Sequence, residues 1–288
     1  MAIHVILAPV SGTDAPSSTV DVALQVGRYV DAHVEAFHVS LDPRDSVAYM
    51  AEGMTSNMIQ DIMNAVEQEG RERRDRARKQ FEEACKRYNV PVTAARAPGG
   101  FSASFATAVG REDELLAMRG RLSDLIVATR SSSTNDSVRT TLEIALLETG
   151  RPILIAPPKP LGTLGKSVAV AWNGSIEATR ALGLGAGLHF ITAAERVVIL
   201  SLPEGRRAGA PVSDIIAYLG CHGVSARSIE IPEIRGGIGR ELLSRAQGEG
   251  CDLLVMGAYT RSRLRHLIFG GATSEVLARA DIPVLMSH

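Results

Sequence analysis

"CDLLVMGAYTRSRLRHLIFGGATSEVLARADIPVLMS" (251–287) runs from an aspartate through an apolar stretch, a glycine, an arginine-studded segment and a Gly-Gly pair into residues at helical spacing and a second apolar run. Short apolar runs separated by one helix read as neighbouring strands of a mostly parallel sheet covered by helices. Working outward, the same order occurs earlier in the chain. "SDLIVATR" (123–130) answers "CDLLVMGA" (251–258), and "GRPILIAP" (150–157) answers "ADIPVLMS" (280–287). At the head of each copy "IHVILAPVSG" (3–12) answers "KSVAVAWNGS" (166–175). The glycine pairs in "APGGFS" (Gly99, Gly100) and "IRGGIG" (Gly236, Gly237) read as a recurring turn after the third strand.

So many matches in one order imply a tandem duplication. The first α/β domain is placed at 1–156 and the second at 166–288, with the Pro- and Gly-rich 157–165 as linker. An insertion over about 41–89 lengthens the first copy and reads as one broken helix or two consecutive ones. From Glu67 to Tyr88 it is dense in charges of both signs, as in a solvated helix with i to i+4 ion pairs. Ahead of that, Met50, Met54, Met58 and Met63 share one face, either as core or as an adaptable surface for a protein partner or lipid-like ligand.

Composition excludes several classes. With 45% hydrophobic residues the chain is not disordered, and 31 Lys plus Arg against 32 Asp plus Glu leaves no electrostatic footprint for nucleic acid. Cys85, Cys221 and Cys251 show no C-x-x-C spacing, so neither a disulfide framework nor structural zinc is expected. "MAIHVILAPV" has no basic n-region and too short an apolar run for a signal or a span, so a cytoplasmic protein with no membrane partner is expected.

Ligands of open parallel α/β sheets bind beyond the carboxyl ends of the strands. In the second copy those ends carry "WNGSIEA" (172–178) and the segment that follows Gly257. Gly257, Gly270 and Gly271 could bring backbone N–H groups and a helix N-terminus to a phosphate, with Arg261, Arg263, Arg265 and His266 adding charge; the alternative is that they only make turns. "RGGIGREL" (235–242) reads as a turn opening a helix, and Trp172 either packs in the core or stacks on a base. No Ser-His-Asp set and no paired carboxylates can be assembled, so catalysis is not supported.

The duplicated unit, and above all 252–286, resembles the universal stress protein family in its tandem form. The resemblance implies two flavodoxin-like, Rossmann-like α/β units with parallel five-stranded sheets of order 3-2-1-4-5, whose last strands, "PILIA" and "PVLMS", pair between units. It also implies the nucleotide pattern G-x2-G-x9-G-[ST]. Gly257 matches its first glycine, Thr260 stands in place of the second, Gly270 matches the third, and Gly271 replaces the hydroxyl residue. Asn173 stands where an aspartate is usual, and Ala171, Met256 and Ala272 complete the implied site. The first copy has Ser11 at the acidic position and no glycine in "TRSSSTNDSVRTTLEIALLETG" before Gly150; its hydroxyls Ser131 to Thr134 either cap the helix near Asp136 or capture an anion. The implied functions are a stress-response module binding ATP or another adenine nucleotide, with Mg at most accompanying it and no efficient hydrolysis, a nucleotide-free interaction module, or a slow nucleotide hydrolase. A homodimer is a further expectation.

Overall fold

The computed structural model describes residues 3–13, 18–48, 54–130, 136–157, 161–203, 209–232, 236–259 and 271–288. Two compact units emerge, His4–Val127 and, in the main, Ala128–His288. The first holds β1 (Val5–Pro9), α1 (Ser18–Val30), β2 (His33–Ser40), α2 (Pro43–Ala48), α3 (Ser56–Tyr88), β3 (Ser102–Val109), α4 (Glu112–Gly120) and the start of β4 (Leu125–Thr129). The second holds α5 (Asp136–Glu148), β5 (Ile153–Ala156), β6 (Ser167–Trp172), α6 (Ile176–Gly187), β7 (Arg196–Ser201), α7 (Val212–Cys221) and β8 (Ala226–Glu230). It continues with α8 (Ile238–Gly248), β9 (Leu253–Gly257), α9 (Gly271–Arg279) and β10 (Val284–Ser287).

The expected order 3-2-1-4-5 occurs twice, as β3-β2-β1-β4-β5 and as β8-β7-β6-β9-β10. β1 pairs in parallel with β2 and β4, and β2 with β3; β6 pairs in parallel with β7 and β9, β7 with β8, and β9 with β10. The last strands meet as the resemblance implied: Leu285 of β10 faces Leu154 of β5 in an antiparallel ladder. That ladder draws β5 into the second compact unit, which is why the spatial division falls inside β4. All eight residues of β5 and β10 are buried, so each strand covers the other's open edge.

The aspartate ahead of the fourth strand of each copy has a definite task. Asp124 Oδ2 accepts from the N–H groups of His4 (2.8 Å) and Val5 (3.0 Å), and the Asp252 carboxylate accepts from those of Lys166 (3.2 Å) and Ser167 (2.9 Å). Each carboxylate thus satisfies donors at the head of the neighbouring strand, β1 or β6, and fixes where that strand starts.

One correspondence read from the sequence is corrected. Gly99 and Gly100, at φ +79° and +80°, turn the chain into β3, whereas Gly236 and Gly237 follow β8 and lead into α8. β3 pairs with the full length of β2 from His33 onward, so its first residue, Ser102, comes directly after that turn. The first copy's counterpart of the pair is Gly110, between β3 and α4.

The insertion forms two helices, α2 and α3, where the described residues of the second copy hold the ten-residue α7. Thr55 caps α3 by accepting from Met58 N–H, and Asn89 ends it in the left-handed region at φ 49°. With 33 residues α3 is about 50 Å long, whereas the eight-residue β3 spans about 27 Å. The helix therefore outruns the sheet. Its buried residues, Ala77, Phe81, Ala84 and Cys85, all lie in the second half. Exposed pairs Glu67–Arg71, Glu69–Arg73, Glu72–Arg76 and Lys79–Glu83 follow the i to i+4 spacing. The core reading of the methionines is corrected for the same reason: Met58 is 51% exposed, Met54 and Met63 are half-buried, and Met50 lies outside the described residues.

Candidate functional site

The second unit has a cavity of about 320 Å³ at the carboxyl ends of β6, β7 and β9. β6 and its turn supply Ala171, Trp172, Asn173 and Ser175; β7 supplies Leu200, Ser201 and Leu202; β9 and its exit supply Met256, Gly257 and Tyr259. Ile231 follows β8, α8 contributes Ile238, Glu241 and Leu242, and α9 contributes Ala272 and Thr273. This is a largely apolar wall with a few polar groups, the usual make-up of a small-molecule site.

Of the residues singled out from sequence, Ala171, Asn173, Met256, Gly257 and Ala272 line the cavity. Gly271 opens α9 and is exposed, while Thr260, Gly270 and the arginines of 261–265 with His266 lie outside the described residues, as do Ser131 to Thr134. Gly257 answers a packing demand: a Cβ there would stand 2.5 Å from Ala178 N and 2.6 Å from Glu177 C, in the first turn of α6. Asn173 Oδ1 accepts from Ser175 N–H (3.1 Å), and Ser175, the N-cap of α6, accepts from Ala178 N–H (3.1 Å). The turn after β6 is thereby built by its own side chains. Trp172 lines the cavity and donates its indole N–H to Ala210 O (3.4 Å).

The glycines before α8 serve an internal carboxylate. Glu275 of α9 accepts from Gly239 N–H (2.8 Å) and Arg240 N–H (3.2 Å), and a Cβ on Gly237, at φ +121°, would overlap its Oε1. A negative group at a helix N-terminus is favourable, and this one ties α8 to α9, the two helices that contribute Glu241 and Thr273 to the cavity.

Tyr259, Ser201 and Glu241 carry no signal in the sequence. Tyr259 is buried at φ +44°, its N–H donating to Thr273 Oγ1 (3.3 Å) and its hydroxyl to Glu143 Oε1 (3.1 Å). A bulky residue with positive φ is uncommon and is retained only where its surroundings hold it. Ser201 and Glu241 come to the cavity through the register of β7 and the placing of α8, which only the fold reveals.

The matching end of the first unit is covered by α3. Gly12, at φ +64°, lies so close to the Arg73 carbonyl that a Cβ would overlap it. Arg76 Nε donates to Gly12 O (2.9 Å) and Gln80 Nε2 to Thr13 O (3.0 Å). Below, Phe81 packs on Phe105 with ring centroids 5.6 Å apart, and the Arg78 guanidinium sits 4.7 Å from the Phe105 centroid. His38 is buried with Nδ1 on Val10 O (2.8 Å), and no partner of its Nε2 is found among the described residues.

The fold and site define a class first: a duplicated, doubly wound α/β protein with a ligand-sized cavity at the strand ends of one repeat. Residues 223–288 match the sequence model of the universal stress protein family. Over 54 residues, 18% of this chain and 19% of the relative, the sequence is 44% identical to a universal stress protein of Synechocystis. The match therefore spans about a fifth of that relative's length. A universal stress protein from Archaeoglobus fulgidus superposes with TM-score 0.65 at 16% identity, covering 98% of this chain and 95% of the other. A functionally unknown protein from Pseudomonas aeruginosa superposes with TM-score 0.56 at 14% identity, covering 99% and 92%. At these identities the two structures speak for the fold alone. The likeness to the universal stress protein family is thus one of sequence over residues 223–288 and of fold over nearly the whole chain. Among the described residues no helix is long and apolar enough to cross a membrane, and no group of His, Cys, Asp and Glu could hold a metal ion.

Proposed function

We propose that this is a stress-response module whose second repeat binds ATP or another adenine nucleotide as a regulatory ligand, without efficient hydrolysis. The observation that carries the reading is the cavity of the second unit, which opens at the strand carboxyl ends where this class of fold takes ligands. The base lies among Ala171, Trp172, Met256 and Tyr259, and Asn173 stands beside the sugar. The phosphate end runs toward the N-terminus of α9 at Gly271, where N–H groups and the helix dipole favour an anion. Any Mg travels with the nucleotide. A thermal-shift series with ATP, ADP, AMP, cyclic AMP and adenosine, with chromatography of the denatured protein's supernatant, tests this. A rise in Tm with at least one adenine compound is expected; no rise with any, and no nucleotide released, would leave the nucleotide-free interaction module.

A second reading concerns the first repeat. The half of α3 that outruns the sheet presents Met58, with Met54 and Met63 half-buried beside it, and such flexible apolar side chains suit a protein surface. We propose that a second copy of the chain docks there. Sedimentation velocity is expected to show a dimer that Met58→Glu converts to monomer; a dimer unchanged by Met58→Glu, or a wild-type monomer, contradicts it.

A further inference from the structure

Most polar groups around the cavity are already spent on the backbone. Asn173 Oδ1 accepts from Ser175 N–H, Ser175 Oγ from Ala178 N–H, and Thr273 Oγ1 from Tyr259 N–H. Two groups keep free capacity. Ser201, at the carboxyl end of β7, is 4% exposed and lines the cavity, yet its hydroxyl has no partner among the described residues. Reaching the cavity rather than the closed interior, that hydroxyl can donate to or accept from whatever enters. Glu241, in α8, lines the cavity with a side chain 20% exposed and gives Oε1 to Arg245 Nε (3.1 Å), while its other oxygen has no partner among the described residues. An ionised carboxylate only accepts hydrogen bonds, whereas a serine hydroxyl also donates.

We infer that Glu241 and Ser201 together read an amino-substituted heterocycle: Glu241 accepts from an exocyclic N–H and Ser201 donates to the neighbouring ring nitrogen. The inference rests on the nucleotide reading above and makes these two side chains the determinants of base choice. A heterocycle that lacks the amine leaves the open Glu241 oxygen desolvated and unpaired, which the site resists.

The test is calorimetric titration of the full chain with adenosine and with purine riboside, which keeps the ring nitrogens and lacks the amine. Adenosine is expected to bind at least about tenfold tighter. Glu241→Leu, which keeps bulk and removes the acceptor, should bring the two ligands to within about twofold of each other, as the double-mutant logic requires. Ser201→Ala should weaken both and leave their ratio unchanged. Equal binding by the wild type, or a ratio that survives Glu241→Leu, overturns the inference while the nucleotide reading stands. Binding of phosphorylated nucleotides without either nucleoside does the same. Failure of every adenine compound to bind removes both.

Discussion

β2 and β7 hold the same place in the two repeats, and they have taken opposite chemistry. β2 carries His33, Glu35 and His38 in the interior, and α3 lies over the turn that follows the neighbouring β1. β7 is apolar from Val197 to Leu200 and ends on Ser201 beside a cavity. Glu35, 1% exposed, takes paired hydrogen bonds from Arg119 (both 2.6 Å) and Arg96 (2.9 and 3.1 Å), and His33 lies between Ser102 and Ser104 (2.8 and 2.9 Å). The two equivalent strand ends differ in cover: the chain's own helix lies against one, and the other opens on a cavity. The longer crossover helix of the first repeat therefore changes what covers the strand ends without changing the strand order.

Breaking the closed side should have the larger effects. Glu35→Ala removes the shared partner of two arginines from a buried site and is expected to destabilise the first unit by about 3 kcal/mol, somewhat less than a fully buried pair because Arg119 is partly exposed; urea unfolding measures it. Gly12→Ala sets a Cβ against the Arg73 carbonyl at positive φ, so it should cost about 2 kcal/mol and loosen α3. The loosening has its own readout. Cys85, on the buried face of α3, has its thiol pushed up to about 11 by burial and by the Glu82 charge, so in the wild type it should label slowly against the exposed Cys221. In Gly12→Ala its labelling should accelerate.

Acid should open the same side more gently. Burial pushes the pKa of His33 and His38 below the ordinary imidazole range; the Glu35 charge opposes this for His33 and the Val10 hydrogen bond for His38, while the charges of Arg96 and of Arg74 and Arg73 reinforce it. Both are therefore neutral in the fold, and their contribution is whole above the unfolded value near about 6.5 and is lost as pH falls through the lowered folded values. For Glu35, burial alone would raise the carboxyl, but the hydrogen bonds and charges of Arg119 and Arg96 outweigh it and lower the pKa, so its contribution disappears only in stronger acid. Tm measured from pH 7.5 to 5 should fall, and the double variant His33→Gln, His38→Gln should flatten that slope.

The repeat was legible because apolar runs and their flanking aspartates recur at matched places, whereas the strand order and the meeting of the last strands came from the family resemblance and not from local pattern. The glycines were legible as glycines but not in their tasks. Gly257 accommodates α6, Gly237 and Gly239 accommodate Glu275, and the Gly99–Gly100 pair belongs to the entry of β3. A glycine in sequence marks a demand for space or for positive φ, and only the packed neighbour says which. Tyr259, Ser201 and Glu241 stayed hidden for a related reason: each reaches the cavity from a separate element, through long-range register that local pattern does not carry.

The measurement that bears most directly on one closed and one open repeat is the stoichiometry of adenosine binding by calorimetry, in the wild type and in Ala171→Leu, which fills the cavity from β6. The account predicts one molecule per chain and none in the variant. Two molecules per chain, or binding unchanged in Ala171→Leu, would contradict it.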